Sequence, residues 1–571
     1  MFITGYTPYG ADGVIIRVET DIRRGIPGID ITGLAEGAVR EARERVRAAF
    51  RNSGLEFPLD RVLINLAPAG LRKDGAALDL PIAVSVMAAA GLVPGLEIFP
   101  EQLMALGELE LSGRVRPVRG ALAAAAAGLR EGIRFFIVPK ENDEEAAILL
   151  GGREDSAKAG PEYAGMNFAA ANFAAVSSLE ETVHALVLLT ARGAFPPPFK
   201  GGERGDGTSG ASPEFAGFAG SAGFAEVRGQ ERYKRALEIA AAGGHNLLAF
   251  GPPGSGKTML ARMLPSIMAP LTAEEAVEVT RLHSLAGFPA RMKDKPDGGE
   301  LPSLITRAPF RSPHHSASAE GILGGGKTIR PGEITLAHLG VLFLDEAPEF
   351  RANVLQALRE PLEDRVITIA RAEGPVKLPA DFQLVLAANA CPCGKLGSRS
   401  PETRKFTEGE NDDGQDGPWN GGDCLCGSEE IYRYWRKFGG ALLDRIELRA
   451  AVPPPDFGAS AAKRESSRVV AARVEKAVAV QRRRFAGSPC RRNARMRSGQ
   501  IDRFCVLGEA ADRAFHKAAE RLALSGRGCH GVLKTARTIA DLEGEETISA
   551  DHILEAVSFR RQGDDPYDIL S

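Results

Sequence analysis

Gly251, Pro252, Pro253, Gly254, Ser255, Gly256, Lys257 and Thr258 form a run of small residues leading to one lysine and one hydroxyl. That spacing is suited to gripping a nucleoside triphosphate. An apolar run, Asn246 to Phe250, precedes it and Met259 to Leu264 follows, so the expectation is a buried strand, a glycine-rich turn and a helix. Such a turn aims unpaired backbone N–H groups and the positive end of a helix dipole at one anion. Gly251 to Met259 then form the nucleotide cradle, with Lys257 neutralising the β and γ phosphates and Thr258 holding Mg²⁺. A glycine-rich loop with a chance lysine is the competing explanation, and the strand–turn–helix context argues against it.

A second run supplies what the first lacks. Val341 to Leu344 is wholly apolar and ends in Asp345 and Glu346, which fits a buried parallel strand delivering charge to a cleft. It reads as a Walker B motif. Asp345 completes the Mg²⁺ shell through water and Glu346 polarises the attacking water, two tasks that need adjacent carboxylates in different surroundings. Ordinary strands also end in Asp-Glu; the pairing with the phosphate loop gives the motif its weight.

The third set is sulfur. Cys391 and Cys393, then Cys424 and Cys426, form two C-x-C pairs flanking a polar, glycine-rich excursion that contains Asn411 to Gly417. Four thiolates can close a tetrahedral Zn²⁺ site and staple the base of that loop, although C-x-C is tighter than the usual zinc-ribbon spacing. Reduced thiols without metal are the alternative.

The elements that must position these groups come from a chain of 571 residues, room for roughly three or four compact units of about 150 residues each. Apolar residues make up 44% and charged residues 25%, which excludes a disordered chain and a membrane-embedded one. No apolar run approaches spanning length and the start lacks an export signal, so the expectation is a cytoplasmic protein with no membrane partner. Seven cysteines, an odd number, argue against a disulfide framework. A net charge of −3 rules out a basic surface overall, so nucleic-acid binding needs local clusters. One lies at Gln481 to Phe485 and Cys490 to Arg497, read either as phosphate contacts or as a solvated helix face.

Along the chain, residues 1–194 mix β-rich runs (Gly13 to Val18, Arg61 to Leu66) with alanine-rich helical ones, an α+β domain. Residues 195–225 are poor in large apolar side chains and read as a flexible linker. Residues 226–455 alternate strand and helix patterns, a parallel α/β core, with the sulfur-flanked insertion at 391–426. Residues 456–571 are mostly helical in pattern (Arg468 to Arg484, Ala510 to Leu524, Val532 to Leu542, Ala550 to Phe559) and read as a lid. The alanine-rich stretch Tyr163 to Val176 has no functional account.

With these residues in hand, the chain resembles the magnesium-chelatase-like AAA+ proteins of the ComM/YifB family over nearly its whole length. The strings that carry the resemblance are Lys234 to Asn246, Phe310 to His315, Arg330 to His338, Leu442 to Arg445 and Lys534 to Leu542. The fold class it implies is α/β: a P-loop AAA+ core with a helical lid, preceded by an α+β domain like that of Lon protease (ribosomal S5 domain 2-like). By the same resemblance Asn389 is sensor 1, Arg445 the arginine finger offered to a neighbouring subunit, and Arg527 sensor 2, with Arg537 its rival. A finger acting in trans implies a ring, a homo-hexamer. Proteolytic relatives carry a Ser-Lys dyad where this chain has Ala77 and Leu122, and a methyl group cannot attack an amide.

Val366 to Arg371 and Val376 to Ala380 flank Ala372 to Pro375 and read as a hairpin with Arg371 and Lys377 near its tip. The resemblance makes such hairpins line a pore, and the glycine-rich insertion Gly324 to Arg330 adds Lys327 and Arg330 as phosphate-contact candidates, with ordinary surface cations as the alternative. Backbone phosphate contacts of this kind bind without reading sequence, as a translocating motor requires. The leading expectation is an ATP- and Mg²⁺-dependent ring motor on single-stranded or branched DNA, a branch-migration helicase in recombination of incoming DNA. A protein-remodelling ATPase and a magnesium-chelatase-type metal-insertion ATPase are the alternatives.

Overall fold

The computed structural model describes residues 2–33, 37–71, 73, 76–96, 102–150, 172–195, 223–287, 304–326, 329–371, 374–396, 424–454 and 465–560. The expected linker therefore lies almost wholly outside the described residues, as do Lys327, most of the Tyr163 to Val176 stretch and the Asn411 to Gly417 excursion.

Among the described residues nine strands come first: β1 Phe2–Thr7, β2 Val14–Arg23, β3 Gly28–Thr32, β4 Arg61–Ala67, β5 Leu103–Ala105, β6 Glu108–Leu109, β7 Val115–Arg116, β8 Phe135–Pro139 and β9 Asn172–Val176. Seven of them form a mixed sheet in the order β3-β4-β2-β1-β5-β8-β9, with β6 and β7 as a separate small hairpin. Strand alternation divides the side chains between two cores. Ile3, Ile16, Val18, Leu103 and Ile137 face the helices Gly37–Asn52 and Asp79–Ala89. Tyr6, Met104, Phe136 and Val138 face the helix Ala121–Arg130.

The remaining strands are β10 Leu247–Phe250, β11 Phe310–Arg311, β12 Gly324–Gly325, β13 Arg330–Pro331, β14 Val341–Leu344, β15 Val366–Ile369, β16 Val376–Pro379, β17 Gln383–Ala388 and β18 Leu448–Ala451. Five of these make an all-parallel sheet in the order β11-β14-β17-β10-β18. Its central strands read as continuous apolar runs because both faces are covered. Leu247, Ala249, Phe343 and Val385 pack under the helices Glu231–Gly243, Lys257–Ile267 and Ser467–Arg484. Leu248, Phe250, Leu344 and Leu386 pack on the other face with Trp435 and Phe438.

Five described helices follow the last strand: Ser467–Arg484, Ser498–Phe504, Glu509–Arg521, Gly526–Glu543 and Ala550–Arg560. The fourth begins six residues earlier than the sequence pattern suggests, with Ser525 capping Gly528 N–H; Gly526, Gly528 and Gly531 mask its start because glycine is a poor helix former. Among the described residues no helix is long and apolar enough to cross a membrane.

The two sheets meet through the Ala121–Arg130 helix, which packs on the helix Ala273–Ala286. Val277 and Leu285 of the latter complete the core around Leu122, and Arg281 reaches Asp12 at 2.8 Å. Leu122 is fully buried in this contact.

Candidate active site

The phosphate loop follows β10 without slack. A Cβ at Gly251 would lie 2.1 Å from the Val452 carbonyl oxygen, and Gly254 and Gly256 take φ of 75° and 91°, conformations that side chains resist. The helix starts at Lys257, and Met259 is exposed on it. Gln230 ties the loop down by donating to the carbonyls of Ser255 (3.3 Å) and Pro453 (2.7 Å), while the Tyr233 hydroxyl donates to the Lys257 carbonyl (3.1 Å). Lys257 Nζ donates to the Gly251 (2.9 Å) and Pro252 (2.8 Å) carbonyls and lies 3.5 Å from both Ser255 Oγ and Asn389 Oδ1. Burial pulls its pKa down to about 8, against the opposing charge of Asp345.

Neighbouring parallel strands carry the partners to the same edge. Thr258 Oγ1 donates to Asp345 Oδ2 (2.9 Å), so the two oxygens expected to hold Mg²⁺ are adjacent, and an oxygen pair of this kind suits a hard cation. The Asp345 carboxylate also accepts from Glu346 N–H (3.0 Å), which leaves the Glu346 side chain exposed and its backbone in the left-handed region at φ 48°. His315 Nδ1 stands 3.8 Å from Glu346 Oε2. No chemistry is assigned to this histidine from the sequence. The signal lies in topology: β11 neighbours β14, so the residues following each strand emerge side by side.

Four sulfurs gather just beyond Asn389. Cys391 Sγ lies 3.3 Å from Cys393 and 3.5 Å from Cys424, Cys393 lies 3.6 Å from Cys424, and all four Sγ atoms, Cys426 included, fall within 4.8 Å of one another. A tetrahedral ion with bonds near 2.3 Å spaces its sulfurs about 3.8 Å apart, so the set fits one zinc ion.

Arg445 and Arg527 are not in this assembly. Asn246 Nδ2 donates to the Arg445 carbonyl (2.8 Å), which places Arg445 where β10 begins, about 13 Å along the strand from the phosphate loop. There its guanidinium pairs with Glu363 and donates to the Ala441 carbonyl (2.6 Å). Arg527 pairs with the same Glu363 at 2.9 Å, and the two cations hold that carboxyl below its usual pKa, Arg445 most strongly. Arg537, the rival of Arg527, is buried: it contacts Asp541 at 3.0 Å and donates to the carbonyls of Glu545 (2.5 Å) and Glu546 (2.6 Å). Its donors are spent inside the C-terminal helices.

The basic stretch divides in the same way. Arg482 faces Glu275 (3.7 Å), Arg484 faces Asp541 (2.6 Å), Arg491 faces Glu278 (3.1 Å) and Arg495 faces Asp381 (2.9 Å), whereas Arg483 and Arg497 are exposed. Arg484 and Arg495 are therefore internal partners, whereas Arg482 and Arg491 pair with carboxylates while remaining over a third exposed, so part of the stretch is structural and part stays on the surface. Strands β15 and β16 form the expected antiparallel hairpin, with Lys377 exposed. Arg371 instead donates to the Gly326 carbonyl, linking this hairpin to the one formed by β12 and β13, where Arg330 is exposed. Ala77 lies half-buried in a short 3₁₀ turn, Ala76–Leu78.

Comparison with known proteins yields three family matches along the chain. Residues 18–142 match the family described as subunit ChlI of Mg-chelatase, residues 223–412 match magnesium chelatase, subunit ChlI, and residues 464–560 match the ChlI C-terminal family. The protein YifB of Salmonella typhimurium is 39% identical over 554 residues, spanning 96% of this chain and 95% of its own. The competence protein ComM of Haemophilus influenzae is 34% identical over 558 residues, with 96% and 95% covered. A Lon protease of Salinispora arenicola is 30% identical over 149 residues, 25% of this chain and 19% of the protease.

Proposed function

We propose, from the premise that this chain belongs to the magnesium-chelatase-like family of YifB and ComM, that it is an ATP-hydrolysing ring motor acting on DNA. One observation carries the reading: Lys257, Thr258, Asp345, Glu346 and Asn389 share one edge of the parallel sheet, while Arg445 and Arg527 sit at the other. The first edge holds what phosphoryl transfer to water needs. Lys257 draws the β and γ phosphates, Thr258 and Asp345 hold Mg²⁺, Glu346 orients the attacking water, and Asn389 senses the γ phosphate. Arg445 acts on the site of the adjacent subunit as the finger, with Arg527 beside it as sensor 2, so subunits close into a homo-hexamer. The four cysteines hold a structural zinc ion.

DNA as the substrate rests on the similarity to a competence protein, with branch migration during recombination as the activity. Exposed Lys377 and Arg330 on neighbouring hairpins supply sequence-independent phosphate contacts. Leu122, buried between the two sheets, supports an assembly role rather than proteolysis for the first domain.

The test is ATP turnover with and without single-stranded, duplex and forked DNA, alongside displacement of a labelled strand. Forked DNA is expected to stimulate turnover, and Lys257→Ala to abolish both activities. Robust unwinding by Lys257→Ala overturns the mechanism; turnover indifferent to DNA but stimulating metal insertion into a porphyrin moves the reading to the chelatase alternative.

A further inference from the structure

The sulfur cluster is joined to the catalytic edge by very short connections. Strand β17 ends at Ala388, Asn389 follows, and Cys391 is two residues further on. Gly394, at φ 77°, turns the knuckle so closely onto the nucleotide loop that a Cβ there would lie 3.1 Å from Pro253 Cδ and 3.8 Å from Asn389 Nδ2. The second cysteine pair leads directly into the helix Ser428–Trp435. Its last residue returns to the same place: Trp435 Nε1 donates to the Ala390 carbonyl (3.0 Å) and its ring meets Phe250 edge-on at 5.7 Å. Two chain segments, 33 residues apart at Cys391 and Cys424, thus converge around the asparagine that faces Lys257.

We infer that the ion held by Cys391, Cys393, Cys424 and Cys426 fixes the position of Asn389, so that zinc sets the hydrolytic rate without touching the nucleotide. This rests on the zinc reading above and goes beyond it: the metal is a positioning element, not merely a staple for the insertion. Without it the two segments are held at the knuckle by thiol contacts and by Trp435, and Asn389 loses its fixed lever. A displacement of about an ångström at a reacting centre costs on the order of 100-fold in rate, whereas nucleotide affinity, set by the loop Gly251 to Thr258, depends little on it.

Two measurements on the full-length chain separate the layers of this argument. Metal analysis of protein purified under reducing conditions, with cobalt exchange to read tetrahedral thiolate absorption, is expected to give one zinc per chain. Metal-free protein with four freely titrating thiols overturns the zinc reading and this inference together. Next, kcat and the Kd of a non-hydrolysable ATP analogue are compared for zinc-loaded and zinc-stripped protein, in wild type and in Asn389→Ala. Stripping is expected to lower wild-type kcat by at least about tenfold with Kd held within about twofold, to be reversed by Zn²⁺, and to add nothing in Asn389→Ala. Equal losses in both backgrounds, or a Kd that weakens as much as kcat falls, overturn the positioning role and leave the zinc site standing. Cys393→Ser provides the same comparison without chelator; stripping of already folded protein covers the case in which that variant does not fold.

Discussion

At the carboxyl edge of the five-stranded sheet, Lys257, Asp345, Glu346 and Asn389 are delivered from three neighbouring strands to one place, whereas at the amino edge Arg445 and Arg527 converge on Glu363. Both edges concentrate charge, yet they treat it differently. The lysine is desolvated and held by backbone carbonyls. The arginines share a half-exposed carboxylate; Arg527 is itself half-exposed, so its pair contributes little to stability, while Arg445 is largely covered. On the proposed reading, each chain carries two half-sites, and a complete one needs the carboxyl edge of one copy against the amino edge of the next.

The strongest way to break that picture is subunit mixing. Arg445→Ala alone is expected to lower turnover by about 10³ to 10⁵, the range that arginine fingers contribute in related nucleotide hydrolases. Lys257→Ala alone is expected to be inactive. In mixed rings of the two variants, some interfaces join an intact Lys257 to an intact Arg445, so a measurable fraction of wild-type turnover returns. No recovery in rings verified to contain both variants would show that Arg445 does not act across an interface.

Those edges were unequally legible in the sequence. Strands β10 and β14 read as buried because parallel strands covered on both faces are apolar throughout, and the residues following them are fixed by that geometry. His315 carried no such signal: β11 is two residues long, too short to leave a period, and its link to Glu346 exists through strand order alone. Arginine partners were hidden for a related reason. A local count of charge between Arg482 and Arg497 cannot see Glu275, Glu278 and Asp381, which lie more than a hundred residues upstream and meet those arginines through the packing of separate elements.

Arg527 and Arg537 sharpen the comparison at an intermediate scale, since one belongs to the amino edge and the other to the interior. Arg537→Ala is expected to destabilise the fold by about 3 kcal/mol, toward the low end for a broken buried pair because Arg484 remains on Asp541 at 2.6 Å. Arg527→Ala removes an exposed partner of Glu363 and is expected to cost less than about 1 kcal/mol of stability while still lowering turnover. Denaturant titration beside steady-state kinetics reads both variants. The reverse pattern, a stable but inactive Arg537→Ala, would move sensor 2 to Arg537.

The smallest effect is a proton. Lys257 has a pKa of about 8 in the folded chain, below the ordinary lysine value of 10.5, because burial disfavours its charge. Between those two values the unfolded chain binds the proton more often than the folded one, so this group's contribution to stability rises with pH across that window. Nucleotide binding runs the other way, since phosphate oxygens beside the amine favour the ammonium and the complex keeps the proton that the free protein has lost. Above about pH 8, binding therefore takes up a proton, close to a full one by pH 9.5, and affinity is expected to fall by up to about tenfold per pH unit. Calorimetry in buffers of different ionisation enthalpy measures that uptake directly. Lys257→Arg, charged at every accessible pH, is expected to bind with no such slope; a wild-type affinity equally flat from pH 8 to 10 would mean that the lysine keeps its charge in the free protein.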